Sequence, residues 1–172
     1  MKLSVCAVPA KIDWAESWWM PRHESKKLDS QNHQYKTVFF GDSLFHKYEE
    51  EGAQSWQLFN DNQSIINLGF SGDMTENLLW RIQNGALDCI DPHTIVIMIG
   101  TNNTGLRFDS ANDTFFGVQA IIQEIESIKP KSKIVLLGLL PRSRNADHKF
   151  RSRNIEVNEK LSEWTNTKES VN

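Results

Sequence analysis

Two runs in this chain, TIVIMIG (94–100) and KIVLLGLL (133–140), are apolar at nearly every position. A strand with one wet face alternates polar and apolar residues, so a strand without alternation has to be covered on both faces. Parallel strands flanked by crossover helices meet that condition. KTVFF (36–40) and SIINLG (64–69) read as two further strands, and the stretches between the four have helical spacing. In DMTENLLWRIQNG (73–85), Leu78, Leu79 and Ile82 share a face, Asp73 stands where an N-cap belongs with Glu76 three places on, and Gly85 stands where a left-handed C-terminal cap belongs. Residues 109–129 set Phe115, Val118, Ile122, Ile125 and Ile128 at helical spacing before Pro130 ends the run. A last helix spans roughly Phe150 to Trp164. Alternation of this kind predicts an α/β domain built on a parallel sheet.

The 172 residues make about one domain, long enough to bury a core without staples. Cys6 and Cys89 are too few for a disulfide framework and are not spaced as a metal site. A net charge of −3 argues against a nucleic-acid partner, which would want a basic face. No stretch approaches a membrane span. MKLSVCAVPA resembles the tail of an export signal, but its apolar run is shorter than the ~7–15 residues a signal needs. The expected organisation is a disordered or trimmed leader over residues 1–11 and one domain over 12–172. As it stands the chain reads as soluble and cytoplasmic, with export retained if the leader is a trimmed signal. Trp14, Trp18 and Trp19 are expected to plug the N-terminal segment onto the domain; a carbohydrate platform is the second reading of the same rings.

In an open parallel sheet, ligands bind beyond the carboxyl ends of the strands. Three clusters fall there: Gly41-Asp42-Ser43, Gly69-Phe70-Ser71-Gly72-Asp73 and Gly100-Thr101-Asn102-Asn103. Taken singly, Gly-Asp-Ser is a common turn or helix cap, Gly72 a turn residue and Asn102 a loop asparagine bonding its own backbone. Together they match what acyl transfer needs, a nucleophilic hydroxyl and hydrogen-bond donors aimed at an oxygen that becomes negative. Ser43 offers its hydroxyl and its own N–H, Gly72 a second N–H, and the Asn102 amide a third donor.

FFGDSL, NLGFSGD with ENLLWRIQNG behind it, and IGTNNTG, in this order, resemble the first three sequence blocks of the GDSL or SGNH hydrolases. The similarity is closer to the branch holding the platelet-activating-factor acetylhydrolase catalytic subunits and related bacterial acetylesterases, which WWMPRHESK and LLGLLPR also resemble. It extends from about Trp18 to Asn158. The resemblance implies a flavodoxin-like three-layer α/β/α fold and serine esterase chemistry on short, chiefly acetyl, esters of a carbohydrate or lipid-like alcohol, without metal or nucleotide. By the same resemblance Ser43 is the nucleophile, and Gly72 and Asn102 are the oxyanion donors.

The family's fourth block, Asp-x-x-His after a fifth strand, has no counterpart. The chain reads TNTKESVN after Trp164, without another apolar run. Truncation at the C-terminus, with activity impaired or absent, is therefore expected. His148 follows the fourth strand on the ligand side, but its neighbour Asp147 cannot reproduce the family spacing; His46 lies one turn beyond Ser43 and points along the helix. All five histidines, His23, His33 and His93 included, read as solvated. Without its fifth neighbour, 133–140 becomes a long apolar edge, which predicts a homodimer or aggregation through it. Two alternatives accompany the esterase: a non-catalytic binding module on the same scaffold, and a mononucleotide binder, which the lack of a Gly-rich phosphate loop disfavours.

Overall fold

The structure, a computed structural model, describes residues 3–60, 64–168 and 171. Met1 and Lys2 of the expected leader, and residues 169, 170 and 172 of the tail, lie outside them. In chain order the described elements are α1 (Trp19–Asn32), β1 (Thr37–Gly41), α2 (Ser43–His46), α3 (Ala53–Phe59), β2 (Ile65–Gly69), α4 (Thr75–Arg81), β3 (Thr94–Met98), α5 (Ala111–Ile128), β4 (Lys133–Leu136) and α6 (Lys149–Thr165). The strands form one parallel sheet in the order β2-β1-β3-β4. The α/β expectation is met.

Burial explains the missing alternation. One face of the sheet sends Val38, Phe40, Ile95, Ile97 and Ile134 into a core closed by Leu78, Leu79 and Ile82, by Val118, Ile121, Ile122 and Ile125 of α5, and by Val157 and Leu161 of α6. The opposite face sets Val96 and Met98 against Phe45 of α2, with Phe39 and Val135 at the margin of that cluster. Trp56 and Phe59 of α3 meet the Phe39 ring at 5.8 and 5.9 Å. α5 starts where Ser110 accepts the Asp113 N–H at 3.0 Å and stops ahead of Pro130, which disfavours helical geometry in the residue before it.

Three expectations need correction. The fourth strand is four residues long, because α6 takes over its backbone beyond Leu136: Asn158 accepts from Leu139 N at 2.7 Å and donates to Leu139 O at 2.9 Å, and Asn154 donates to Leu140 O at 3.0 Å. The N-cap of α4 is Met74, since Asp73 turns its carboxylate inward. The opening residues, read as a leader without fixed structure, lie against α4 from Ser4 to Val8: Thr75 Oγ1 donates to Ser4 O at 2.9 Å, and Asn77 Nδ2 to Val8 O at 3.1 Å. As expected, the tail adds no fifth strand among the described residues; Val171 makes only a one-residue parallel bridge to Ile134, on the free side of β4. The tryptophan plug holds for Trp19, fully buried with Ala15 and Phe70, and for Trp18 beside them. Trp14 is exposed and serves elsewhere.

Candidate active site

The sheet register fixes where the three sequence clusters emerge. Gly41 pairs with Gly69 on one side and Met98 on the other, so the loop after β1 lies between the loops after β2 and β3. α2 begins at once, with Asp42 as its N-cap accepting Leu44 N at 3.0 Å and Ser43 as its first residue. It can lie this close because residue 69 is a glycine: a Cβ there would stand 2.5 Å from the His46 nitrogen. Ser43 is half-buried, and among the described residues its hydroxyl makes no hydrogen bond. Asp42 is 1% exposed, and among the described residues its Oδ2 has no hydrogen-bond partner. Burial pushes this carboxyl up to about 6; the Leu44 N–H opposes the rise, Asp73 adds to it and Arg142 relieves it.

Phe70 to Asp73 form a tight turn closed by Asp73 N to Phe70 O at 3.1 Å, with Gly72 in the third position at φ +86°. That is the type II geometry, which asks for glycine there. The outer side of Gly72 is covered, since a Cβ would stand 2.9 Å from both Ile12 and the Trp14 ring. The turn is anchored from below by Asp73, whose Oδ1 accepts Trp19 Nε1 at 2.6 Å and whose Oδ2 accepts Arg81 Nη2 at 2.7 Å and Nε at 2.9 Å. Arg81 is wholly buried, 3.9 Å over the Phe70 ring, and donates to Leu68 O at 3.0 Å. Burial raises the Asp73 pKa and lowers that of Arg81, each opposed by the charge of the other.

The two asparagines after β3 divide the labour. Asn103 is fully engaged: its oxygen accepts Thr75 N at 3.0 Å, and its nitrogen donates to Thr75 Oγ1 and Asp109 Oδ2, each at 3.1 Å. Arg107 closes this knot by pairing with both Glu76 and Asp109. Asn102 makes one bond, Nδ2 to Asp73 O at 3.0 Å, and keeps its second N–H unbonded among the described residues. That bond ties the β3 loop to the β2 loop, with Ser43 on the loop between. Arg142 donates to Thr101 O at 2.8 Å and lies flat over Gly105, which puts a cation above this end of the sheet.

The family of GDSL-like lipases and acylhydrolases matches residues 39–170. The chain belongs to that family. It is 35% identical over 141 residues to platelet-activating factor acetylhydrolase IB subunit alpha1 of Homo sapiens, a match that takes in 82% of this chain and 58% of that protein. The alpha2 subunit of Rattus norvegicus is 34% identical over 143 residues, covering 83% and 60%. The chain thus spans less than two thirds of the length of these relatives. Its fold is shared with a GDSL-like lipase from Bacteroides thetaiotaomicron at a TM-score of 0.67 and 16% identity, over 86% of this chain and 73% of that one.

No Asp-x-x-His sequence, the form expected of the family's acid–base pair, occurs in these residues. None of the histidines that the structure engages bonds Ser43. His148 caps α6, accepting Phe150 N at 3.3 Å, and His33 sits on Asp29. Two of the five, read from sequence as solvated, are buried. His23 is 2% exposed with its ring 3.1 Å from Asn84 O, and His46 is 8% exposed. Their neighbours Trp18, Trp19, Phe70 and Trp80 supply the covering, which the polar look of the 19–32 segment concealed. Beside the Phe70–Asp73 turn opens a cleft of about 650 Å³ lined by Trp14, Trp18, Arg22, His46, Glu50 and Ser71. Sequence also gave no sign of Arg142 over the site or of the unpartnered Asp42 oxygen. Both depend on packing between distant segments.

Proposed function

We propose that this chain carries the nucleophile and oxyanion half of a serine ester hydrolase acting on short acyl esters, acetyl foremost. Ser43 Oγ adds to the ester carbonyl as its proton passes to water or an added base, the alcohol then leaves, and water cleaves the resulting acyl-serine to free the acid. The Ser43 and Gly72 N–H groups and the free N–H of Asn102 receive the oxygen as it becomes negative, each donor being worth roughly 2.7–4 kcal/mol of barrier. The observation that carries this reading is the bond from Asn102 to Asp73 O. It gathers the loops on either side of Ser43 into one rim and leaves one Asn102 hydrogen to donate.

The alcohol portion of the ester is placed in the cleft beside the turn, where the Trp14 and Trp18 rings, 6.0 Å apart, offer apolar faces of the kind a sugar ring or lipid chain covers. Arg22 and Lys26 at its rim share Glu49, at 2.7 and 2.6 Å, and Glu50 also lines the cleft, so two carboxylates offset the two cations and little net charge remains to demand an anionic substrate. No metal or nucleotide is needed for these steps.

A serine without a base is a poor nucleophile at neutral pH. Enzymes stripped of one triad member still retain about 10³–10⁴-fold catalysis over water from binding and the oxyanion hole. We therefore expect slow p-nitrophenyl acetate hydrolysis that Ser43→Ala abolishes, and a rise on adding imidazole beyond the rise seen with Ser43→Ala. Turnover unchanged by Ser43→Ala removes Ser43 from the mechanism. No serine-dependent turnover with or without imidazole favours the second reading, a non-catalytic binding module, which the unbonded Ser43 hydroxyl also supports.

A further inference from the structure

His46 has no place in the mechanism above, yet it makes a specific bond to the loop that carries Gly72. It ends α2, one turn past Ser43, and its Nδ1 lies 3.1 Å from the Ser71 N–H. A backbone amide can only donate, so Nδ1 holds a lone pair and the ring proton belongs on Nε2. The ring is wedged beside Trp18 at 5.2 Å and Phe70 at 6.4 Å, which leaves it little freedom to turn.

Ser71 is the second residue of the type II turn and Gly72 the third. Types I and II differ by a flip of the peptide between those two residues, which reverses the Gly72 N–H. The Ser71 N–H itself belongs to the Phe70–Ser71 peptide, which is oriented alike in both types, so holding it from α2 fixes where the turn sits, while the Gly72 φ of +86° sets its type and Trp14 and Ile12 cover its other side. We propose that His46 is a positioning residue whose neutral ring clamps the Ser71 amide and so anchors the turn that carries the Gly72 N–H against α2. The proposal rests on the reading of Gly72 as an oxyanion donor for its purpose, but not for its geometry.

Protonation would replace the Nδ1 lone pair with a second N–H and break the clamp. The groups facing the ring are Glu50, whose Oε1 is 3.7 Å from Nε2, Glu49 beside it, and Arg22 and Lys26 of α1. Burial first, then Arg22, holds the His46 pKa below its ordinary value, with the two glutamates opposing, so the clamp is intact at neutral pH.

The test is nitrogen-15 NMR of the whole chain. At pH 7 the His46 ring should be the Nε2–H tautomer. On acidification the Ser71 and Gly72 amide signals should move together with the ring, at a midpoint below ordinary histidine. His46→Phe keeps the ring packing and removes the acceptor; it should speed Ser71 amide exchange about tenfold, the effect of one hydrogen bond of ordinary net strength. His46→Gln, which offers a carbonyl oxygen, should restore much of the protection. Ser43→Ala should leave every one of these signatures in place, so loss of the esterase reading and loss of the clamp are separable. An Nδ1–H ring at pH 7 overturns the proposal. So does a folded His46→Phe whose Ser71 and Gly72 signals match the parent; signals that shift while a fluorophosphonate labels Ser43 as fast as in the parent overturn instead the reading of Gly72 as a donor.

Discussion

The two sides of this sheet are held in different ways. Around the ends of β2, β1 and β3, buried polar groups join the loops by side-chain bonds: Asp73 to Arg81 and Trp19, Asn103 to Thr75, Asn102 to Asp73. At the β4 side there is a four-residue strand, one bridge to Val171, and leucines left in water, Leu137 at 38% exposed and Leu140 at 52%. The first side is specified by directional bonds with unique partners. The second is specified mainly by apolar burial on one face and by two asparagines of α6. The difference teaches that Ser43, Gly72 and Asn102, the proposed nucleophile and oxyanion donors, stand on a frame of loops joined mainly by their own polar bonds, with Arg142 reaching Thr101 from the β4 side.

The largest expected effect strikes the first side. Arg81→Met leaves the Asp73 carboxylate buried without its cation, and urea unfolding should show a loss of about 3–5 kcal/mol. Adding Asp73→Asn should recover part of it; full stability in the single variant would mean the frame does not rest on this pair.

Next is Asp42, where removing the charge should strengthen the same side. Its folded-state pKa of about 6 exceeds the ordinary 3.8, so the folded chain binds this proton more tightly than the unfolded one. The contribution is fully present below about pH 4 and is lost as pH rises through 6. Asp42→Asn keeps an oxygen to cap Leu44 and should be more stable at pH 7 by about 3 kcal/mol, a difference that vanishes below pH 4 in unfolding curves. A constant difference across that range would assign the effect to something other than this proton.

The smallest effect concerns the β4 side. Replacing Leu140 by lysine should change stability by less than about 0.5 kcal/mol, because about half of it already faces water. The same change should reduce self-association in sedimentation runs if that edge recruits a second copy. Unaltered association would show that the edge is already blunted where Val171 meets Ile134.

How much of this was legible in sequence follows the same division. Continuous apolar runs announced the strands, and Gly85, at φ +96°, sits in the left-handed conformation its place predicted. Ser43, Gly72 and Asn102 could be placed at neighbouring strand ends because a parallel sheet puts every such end on one side. The polar frame could not be foreseen: Asp73 looks like a cap until Arg81 and Trp19 are seen to reach it, and His46 looks solvated until Trp18 covers it. The β4 end was overread because apolar letters say nothing of Asn154 and Asn158 reaching back from α6 to take the backbone groups of Leu139 and Leu140.

The most direct test of a prebuilt oxyanion site is the rate at which a fluorophosphonate labels this chain, with the adduct located by mass spectrometry. The account predicts slow labelling at Ser43, reduced about 10²-fold or more by Asn102→Ala in a variant that still folds. An adduct elsewhere, no adduct at all, or a rate indifferent to Asn102 would contradict it.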